Sequence, residues 1–316
     1  MNERVSHPTD PLNILLCANN DFAQHAAVTL ASLLLNNSDE AVYVTFVGDL
    51  SERSKDSLKQ VANLSENAIL TFVSLSELRA KQNTDLILHN LPTQGDHCVK
   101  GAYSIDIYTR LLVSRIFDEH IYKVLYLDSD IVVQGSLRPL WETVIDPYPI
   151  GGVRVPYFDR EHLPSFSPGD PYINSGVLLY NLPKWRELEC EQRCLQFLEE
   201  NSEIVRDPDQ DALNEALKGK IFFLETKWNA FGIYARAHAR GEPGAQRPVI
   251  YHYNGGNKPW FYMSNHPQKD LYYRYIRYTP WKLYTPPDKS LKNMAQKAAS
   301  RFLPRFLKRF LSRPRP

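Results

Sequence analysis

This sequence predicts an α/β fold with a mostly parallel sheet flanked by helices, and three observations carry that expectation. Strand-like and helical patterns alternate from Leu12 to Val73. Lys123-Val124-Leu125-Tyr126-Leu127 is a mostly apolar, β-prone run without alternation, the mark of a strand covered on both faces. Four polar clusters fall at predicted strand ends: Asn19-Asn20-Asp21, Asp128-Ser129-Asp130, Asn174-Ser175-Gly176 and His252 to Trp260. Strands of a parallel sheet all point one way, so these clusters should converge on a single crevice at their carboxyl ends.

Taken in order, Leu12 to Ala18 reads as the first strand, and Phe22 to Asn36 carries apolar residues at a helical period. Val42 to Val47 is a strand, Ser51 to Asn63 a helix with Ser51 as a candidate cap, and Ile69 to Val73 a third strand. Leu75 to Lys100 is irregular and reads as a loop or small subdomain. Tyr103 to Phe117 reads as one helix, followed by the Lys123 strand, a helical patch at Leu137 to Thr143 and a strand at Ile150 to Val155. Phe158 to Gly169 has the Pro, Gly and Ser density of a loop. Ile173 to Leu182 is another buried-strand pattern, Trp185 to Asn201 and Gln210 to Lys218 are helices, and Val249 to Tyr253 is a short strand. Lys227 to Gln246 resists assignment.

The 316 residues allow one large α/β domain or two small ones. Four scattered cysteines (Cys17, Cys98, Cys190 and Cys194) form neither a disulfide framework nor a zinc set, so reduced thiols are expected. No run of about 20 uncharged apolar residues exists, and residues 1–11 lack a signal-peptide pattern, so a cytoplasmic location is the default. Nine of the 37 Lys and Arg residues lie from Lys289 onward with no acid among them, leaving 28 basic against 36 acidic residues in the body. That balance argues against a nucleic-acid partner. The boundary divides the chain into a body, residues 1–288, and a tail, residues 289–316. In the tail Leu291, Met294, Ala295, Ala298, Phe302, Phe306 and Phe310 recur every three or four residues, and Pro304 should kink the helix. A helix docked on the body would explain the pattern. A basic amphipathic face bearing three Phe residues suits an anionic membrane surface better.

Asp128 and Asp130 are two apart, so on an extended chain their carboxylates share a face. Two carboxylates that close persist as anions mainly when a hard cation lies between them. A polar strand end is the plain alternative. His252 falls beside the same crevice as a third ligand, and the mixed set tilts the choice of metal from Mg²⁺ toward Mn²⁺. Gly255 and Gly256 permit close backbone approach, and Lys258 adds a cation, which together describe a diphosphate site. In Asp207-Pro208-Asp209-Gln210-Asp211, N-capping by Asp209 accounts for one group only. Asp128 as nucleophile and Asp130 as general acid would also fit a haloacid dehalogenase-type phosphatase, though three strands precede the motif and the His-Gly-Lys segment would then be idle. A non-catalytic sugar-binding protein would not need the diphosphate site.

These segments, with Tyr108-Thr109-Arg110-Leu111, Ser136 to Trp141, Tyr172 to Leu182 and Asp209 to Asn214, resemble glycosyltransferase family 8 across about residues 12 to 262. The resemblance implies a GT-A fold, Rossmann-like, and a metal-dependent transferase that moves a hexose from a UDP-sugar with retention of configuration. The acceptor implied is a glycan or glycolipid such as the lipopolysaccharide core, and the basic tail is expected to hold the protein at the inner face of the cytoplasmic membrane, where lipid-linked acceptors lie. Asp128, Asp130 and His252 then correspond to the metal ligands. Asn19, Asp21, Arg110, Asp128, Ser129, Asn174, Gly255 and Lys258 correspond to donor contacts, and Asp209 and Gln210 to the reacting centre. Asn19 and Asp21 exchange the residue types usual in the family, and no Asp stands at Val153 to Pro156, with Asp159 just beyond.

Overall fold

A computed structural model of the chain describes residues 10–80, 105–156 and 160–302. The first half follows the expected alternation: β1 (Leu12–Cys17), α1 (Ala23–Leu35), β2 (Val42–Val47), α2 (Glu52–Ala62), β3 (Ala68–Val73) and α3 (Leu75–Ala80). Ser51 caps α2 by accepting from the Ser54 amide at 3.3 Å. Ile105–Arg110 is a 3-10 turn and α4 (Val113–Ile116) is short, so the single helix expected over Tyr103 to Phe117 is broken. β4 (Lys123–Leu127) and β5 (Ile131–Val133) flank the Asp-x-Asp, which is itself a turn between the two strands. Next come α5 (Arg138–Trp141), β6 (Ile150–Arg154), β7 (Ile173–Asn181), α6 (Leu182–Glu187) and α7 (Cys190–Glu200). The helix expected over Trp185 to Asn201 is divided at Glu189, whose φ of 51° is left-handed. The chain continues through α8 (Pro208–Ala216), β8 (Ile221–Leu224), α9 (Gly232–Ala239), β9 (Ile250–His252), α10 (Lys269–Ile276) and α11 (Leu291–Phe302).

Among the described residues seven strands form one sheet in the order β3-β2-β1-β4-β7-β6-β8, and β5 pairs with β9 in a second, antiparallel pair. β7 alone is reversed: it runs antiparallel to β4 and β6, while β3, β2, β1 and β4 are parallel neighbours and β6 is parallel to β8. This corrects the premise that all strands point one way. Asn174-Ser175-Gly176 still reaches the crevice, because the start of a reversed strand lies beside the end of its neighbour. Leu127 pairs with Val177, and the Asp128 amide donates to the Gly176 carbonyl at 2.9 Å.

Alternating residues of the central strands feed two cores, as a sheet covered on both faces requires. Leu125 and Leu127 pack with α1 and α2, whereas Val124 and Tyr126 pack with Trp185, Cys194 and Leu213 beneath α6 to α8. A third cluster of Val28, Tyr253, Trp260, Tyr272 and Tyr275 joins α1 to α10. Cys17, Cys190 and Cys194 are free thiols, and Cys98 lies outside the described residues. So do Asp159, Pro304, Phe306 and Phe310. Among the described residues no helix is long and apolar enough to cross a membrane.

Candidate active site

Asp128, Ser129 and Asp130 occupy the turn after β4, and α1 fixes its shape. The buried Thr29 hydroxyl donates to the Ile131 carbonyl at 2.8 Å, and Ser129 Oγ donates to the Cys17 carbonyl at 2.6 Å. Each carboxylate is divided between two tasks. Asp128 Oδ1 accepts from the Tyr126 hydroxyl at 2.6 Å and pairs with Arg110 at 3.0 Å, and Asp128 Oδ2 lies 3.4 Å from His252 Nε2. Asp130 Oδ2 pairs with Lys258 Nζ, and Asp130 Oδ1 lies 3.2 Å from His252 Nε2. Burial pushes the Asp130 carboxyl up, but Lys258 and His252 outweigh it and hold the group well below the usual carboxylate range.

One ligand atom from each of Asp128, Asp130 and His252 lies within 4.8 Å of the others. This donor set, two carboxylates and one imidazole, suits a divalent cation of borderline hardness. Gly176 provides the space in which they meet. A Cβ there would stand 2.2 Å from His252 Cε1 and 2.8 Å from Asp128 Oδ2. The three residues therefore fit a metal, with Lys258 as the adjoining cation. Lys258 Nζ also donates to the Tyr253 carbonyl at 2.8 Å, and Trp260 anchors the segment by stacking on His25, centroids 3.6 Å apart.

Two cavities share the Asp-x-Asp turn. The larger, about 700 Å³, is lined by Asp128, Asp130, Asn174, Gln210, His252, Gly255 and Lys258 together with Val155, Pro156, Arg160, Asp207, Phe231, Ile233 and Arg236. The smaller, about 210 Å³, is lined by Asn19, Phe22, Ile107, Arg110, Tyr126 and Ser129 as well as both aspartates. Asn19 Oδ1 accepts from the Asp21 and Phe22 amides at 3.1 and 3.2 Å, while Asp21 is exposed and lines neither cavity.

Arg110 is a buried strut between carboxylates. Its guanidinium contacts Asp128 at 3.0 Å, Asp209 at 3.2 Å and Ser175 Oγ at 3.0 Å. Burial acts to discharge it, but the two aspartates prevail and keep it charged. Asp209 sits behind it and accepts from Ser175 Oγ at 2.8 Å; burial raises its carboxyl against the pull of Arg110. It does not cap α8. Asp211 holds that entry instead, because its Oδ2 accepts from the Arg206 and Asp207 amides at 2.8 and 3.1 Å. The plain capping reading of Asp209 therefore fails, and Asp211, two residues on, ties down the loop that enters the helix. Gln210 Oε1 accepts from Asn174 Nδ2 at 2.8 Å and the Ser175 amide at 3.0 Å, and its Nε2 donates to the Tyr172 hydroxyl at 3.1 Å.

Sequence reasoning did not single out Asn229, Tyr126, Phe231, Ile233, Arg236 or Arg160. Asn229, wholly buried, has its Oδ1 3.0 Å from His252 Nδ1 and donates from Nδ2 to Asn174 Oδ1 at 2.8 Å. A lone polar residue between Trp228 and Ala230 was the available signal. Arg236 projects from α9, a helix that follows no clear apolar period.

The mixed sheet, with its crevice at the end of β4, has the GT-A fold. The chain belongs to glycosyl transferase family 8, whose sequence model matches residues 13–264. General stress protein A of Bacillus subtilis (strain 168) is 27% identical over 283 residues, spanning 85% of this chain and 94% of that protein. Lipopolysaccharide 1,2-glucosyltransferase of Escherichia coli (strain K12) is 25% identical over 293 residues, spanning 88% of this chain and 81% of its own length. The crystal structure of galactosyltransferase LgtC with donor and acceptor sugar analogs matches with a TM-score of 0.70 at 22% identity, over 88% of this chain and 98% of that one.

Proposed function

We propose that this chain is a retaining, divalent-metal-dependent hexosyltransferase. It moves glucose or galactose from a UDP-sugar to a glycan or glycolipid acceptor of the bacterial surface, of the lipopolysaccharide-core kind. The observation that carries this reading is the convergence of Asp128, Asp130 and His252 beside Lys258 at the mouth of the larger cavity. The glucosyltransferase relative supports the acceptor class. Family membership removes the support for a phosphatase. Asp128 moreover has one oxygen committed to Tyr126 and Arg110, which suits a ligand better than a nucleophile.

In this reading Asp128, Asp130 and His252 hold Mn²⁺, with Mg²⁺ as the alternative, and the bound ion would offset charge on the departing diphosphate. Lys258 adds a second positive group there, and Gly255, with a φ of 76°, turns the chain so that backbone can approach the phosphates. Asn19, Arg110, Ser129 and Asn174 shape the donor side, and Asp21 serves it through the turn that Asn19 closes. Phe231, Ile233 and Arg236 shape the acceptor side of the larger cavity. The bond from the anomeric carbon to the phosphate oxygen breaks while the acceptor hydroxyl attacks from the same face, and the hydroxyl proton passes to the departing diphosphate. Gln210 favours this route over a covalent intermediate, because both lone pairs of its amide oxygen are already engaged. Asp209 is screened by Arg110 and Ser175 and acts through them. Residues 1–288 form the transferase, and residues 289–316 hold it at the inner face of the cytoplasmic membrane.

Replacing Asp130 by Ala tests the metal assignment. UDP release from UDP-glucose or UDP-galactose with Mn²⁺ should fall at least about 100-fold while circular dichroism stays native. Undiminished turnover would overturn the assignment, and release of phosphate from simple esters would restore the phosphatase reading.

A further inference from the structure

Histidine binds a metal through whichever ring nitrogen carries no proton, so the tautomer of His252 decides whether it can serve. That tautomer follows from groups whose hydrogen-bonding sense is fixed. The Gly176 backbone N–H, which can only donate, points to Asn174 Oδ1 at 3.0 Å, and the Ser175 N–H points to Gln210 Oε1 at 3.0 Å. Both atoms must therefore be carbonyl oxygens. Asn174 then turns its NH₂ to Gln210 Oε1 at 2.8 Å, and only an NH₂ can meet Asn174 Oδ1 from the other side. Asn229 supplies it at 2.8 Å, which leaves its own carbonyl oxygen facing His252 Nδ1 at 3.0 Å. The proton must lie on Nδ1, and Nε2 faces Asp128 and Asp130.

We propose that Asn229 is a positioning residue that fixes the Nδ1–H tautomer of His252 and so sets the affinity of the Asp128–Asp130–His252 site for a divalent cation. Asn229 is wholly buried and acts through His252. Its own orientation is imposed by Asn174, which in turn holds Gln210, so one chain of amides links the metal residues to the helix bearing the reacting-centre glutamine. Burial excludes water as a substitute partner, since Asn229 is 0% and His252 3% exposed. The inference rests on the metal reading above.

Mn²⁺ binding to the full chain, measured by calorimetry without any sugar donor, separates the two. Asn229→Leu, similar in shape but unable to accept from Nδ1, should bind Mn²⁺ about 10–100-fold more weakly, the usual cost of losing such a partner. Asn229→Asp keeps the acceptor for Nδ1 and gives up only the donor to Asn174 Oδ1, so it should bind Mn²⁺ at least about threefold more tightly than Asn229→Leu. Equal affinity in Asn229→Leu and wild type, or an equal loss in both variants, would overturn the proposal. If Asn229→Leu fails to fold, Asn229→Val, which likewise offers Nδ1 no acceptor, is read in the same way. His252→Ala is the control. Weaker Mn²⁺ binding in His252→Ala with no change in Asn229→Leu overturns only the positioning role; no change in His252→Ala overturns the metal reading itself.

Discussion

A Cβ built on Gly176 would meet His252 Cε1 at 2.2 Å, Nδ1 at 2.7 Å and Asp128 Oδ2 at 2.8 Å. Its φ is not positive, so alanine strains no backbone there and the conflict is with the site alone. His252 ends a strand held by β5, and Asp128 is held by Tyr126 and Arg110, so neither can retreat freely. Gly176→Ala should therefore cost about 1–3 kcal/mol of stability and lower Mn²⁺-dependent turnover at least about tenfold. Urea unfolding and UDP release check the two effects; full turnover in a folded variant would mean that the three ligands need not meet at this spot. The sequence showed Gly176 at a strand start but not this role, which depends on an approach between residues 176 and 252. Arg110 comes from the family resemblance alone, as a donor contact, and its pairing with carboxylates was illegible because its partners Asp128 and Asp209 come from different elements.

Elements were legible where period and length agreed. β1 to β3 with α1 and α2 could be read from apolar spacing, whereas β8 is only four residues and α9 mixes Gly, Arg and His through its length. Strand direction is absent from an apolar run, which is why β7 looked parallel in sequence and is reversed in the sheet. The start of the tail was legible as an amphipathic helix, and the structure adds which face looks outward. Asn293 donates to the Asp288 carbonyl at 2.6 Å and Lys297 to that of Tyr262, so the polar edge of α11 holds the body. Leu291, at 86% exposed, and Met294 turn away from it. Exposed Leu291 and Met294 on a helix that also bears Lys292 and Lys297 are what the proposed attachment to an anionic surface requires. Ending the chain after Asp288 keeps that carboxylate, which accepts from the Tyr262 and Met263 amides at 2.6 and 2.9 Å. The truncated chain should keep kcat/KM on a soluble acceptor and lose at least about tenfold in binding to anionic vesicles, at low salt above all. Unchanged vesicle binding would remove the attachment role.

At the scale of the molecule, the crevice was foreseeable because polar clusters recur at strand ends, but the joint that closes it was not. That joint packs residues 235 positions apart: His25 of α1 stacks on Trp260 at 3.6 Å, and its Nδ1 lies 2.7 Å from the Tyr272 hydroxyl. It gives the fold a pH dependence. Burial pushes His25 down to about 4, with Asp130 pulling the other way and Lys258 adding to the fall. Burial, then Arg236 and Lys258, push His266 down to about 4 as well. Both rings are neutral in the folded chain and take up a proton more readily when unfolded, where their pKa is about 6.5. Between those values the unfolded state binds more protons, so stability falls as pH drops from about 6.5 to about 4 and the loss from these groups levels off below that. His25 alone should cost about 2 kcal/mol between pH 7 and pH 5. Asp130, held low, adds its own loss only at still lower pH, and Asp209, held high by burial, works in the opposite sense. Comparing urea unfolding of wild type and His25→Phe at both pH values isolates the histidine, since phenylalanine keeps a ring against Trp260 and cannot titrate. The variant should lose about 2 kcal/mol less than wild type across this interval; equal losses would place the pH sensitivity of the fold elsewhere.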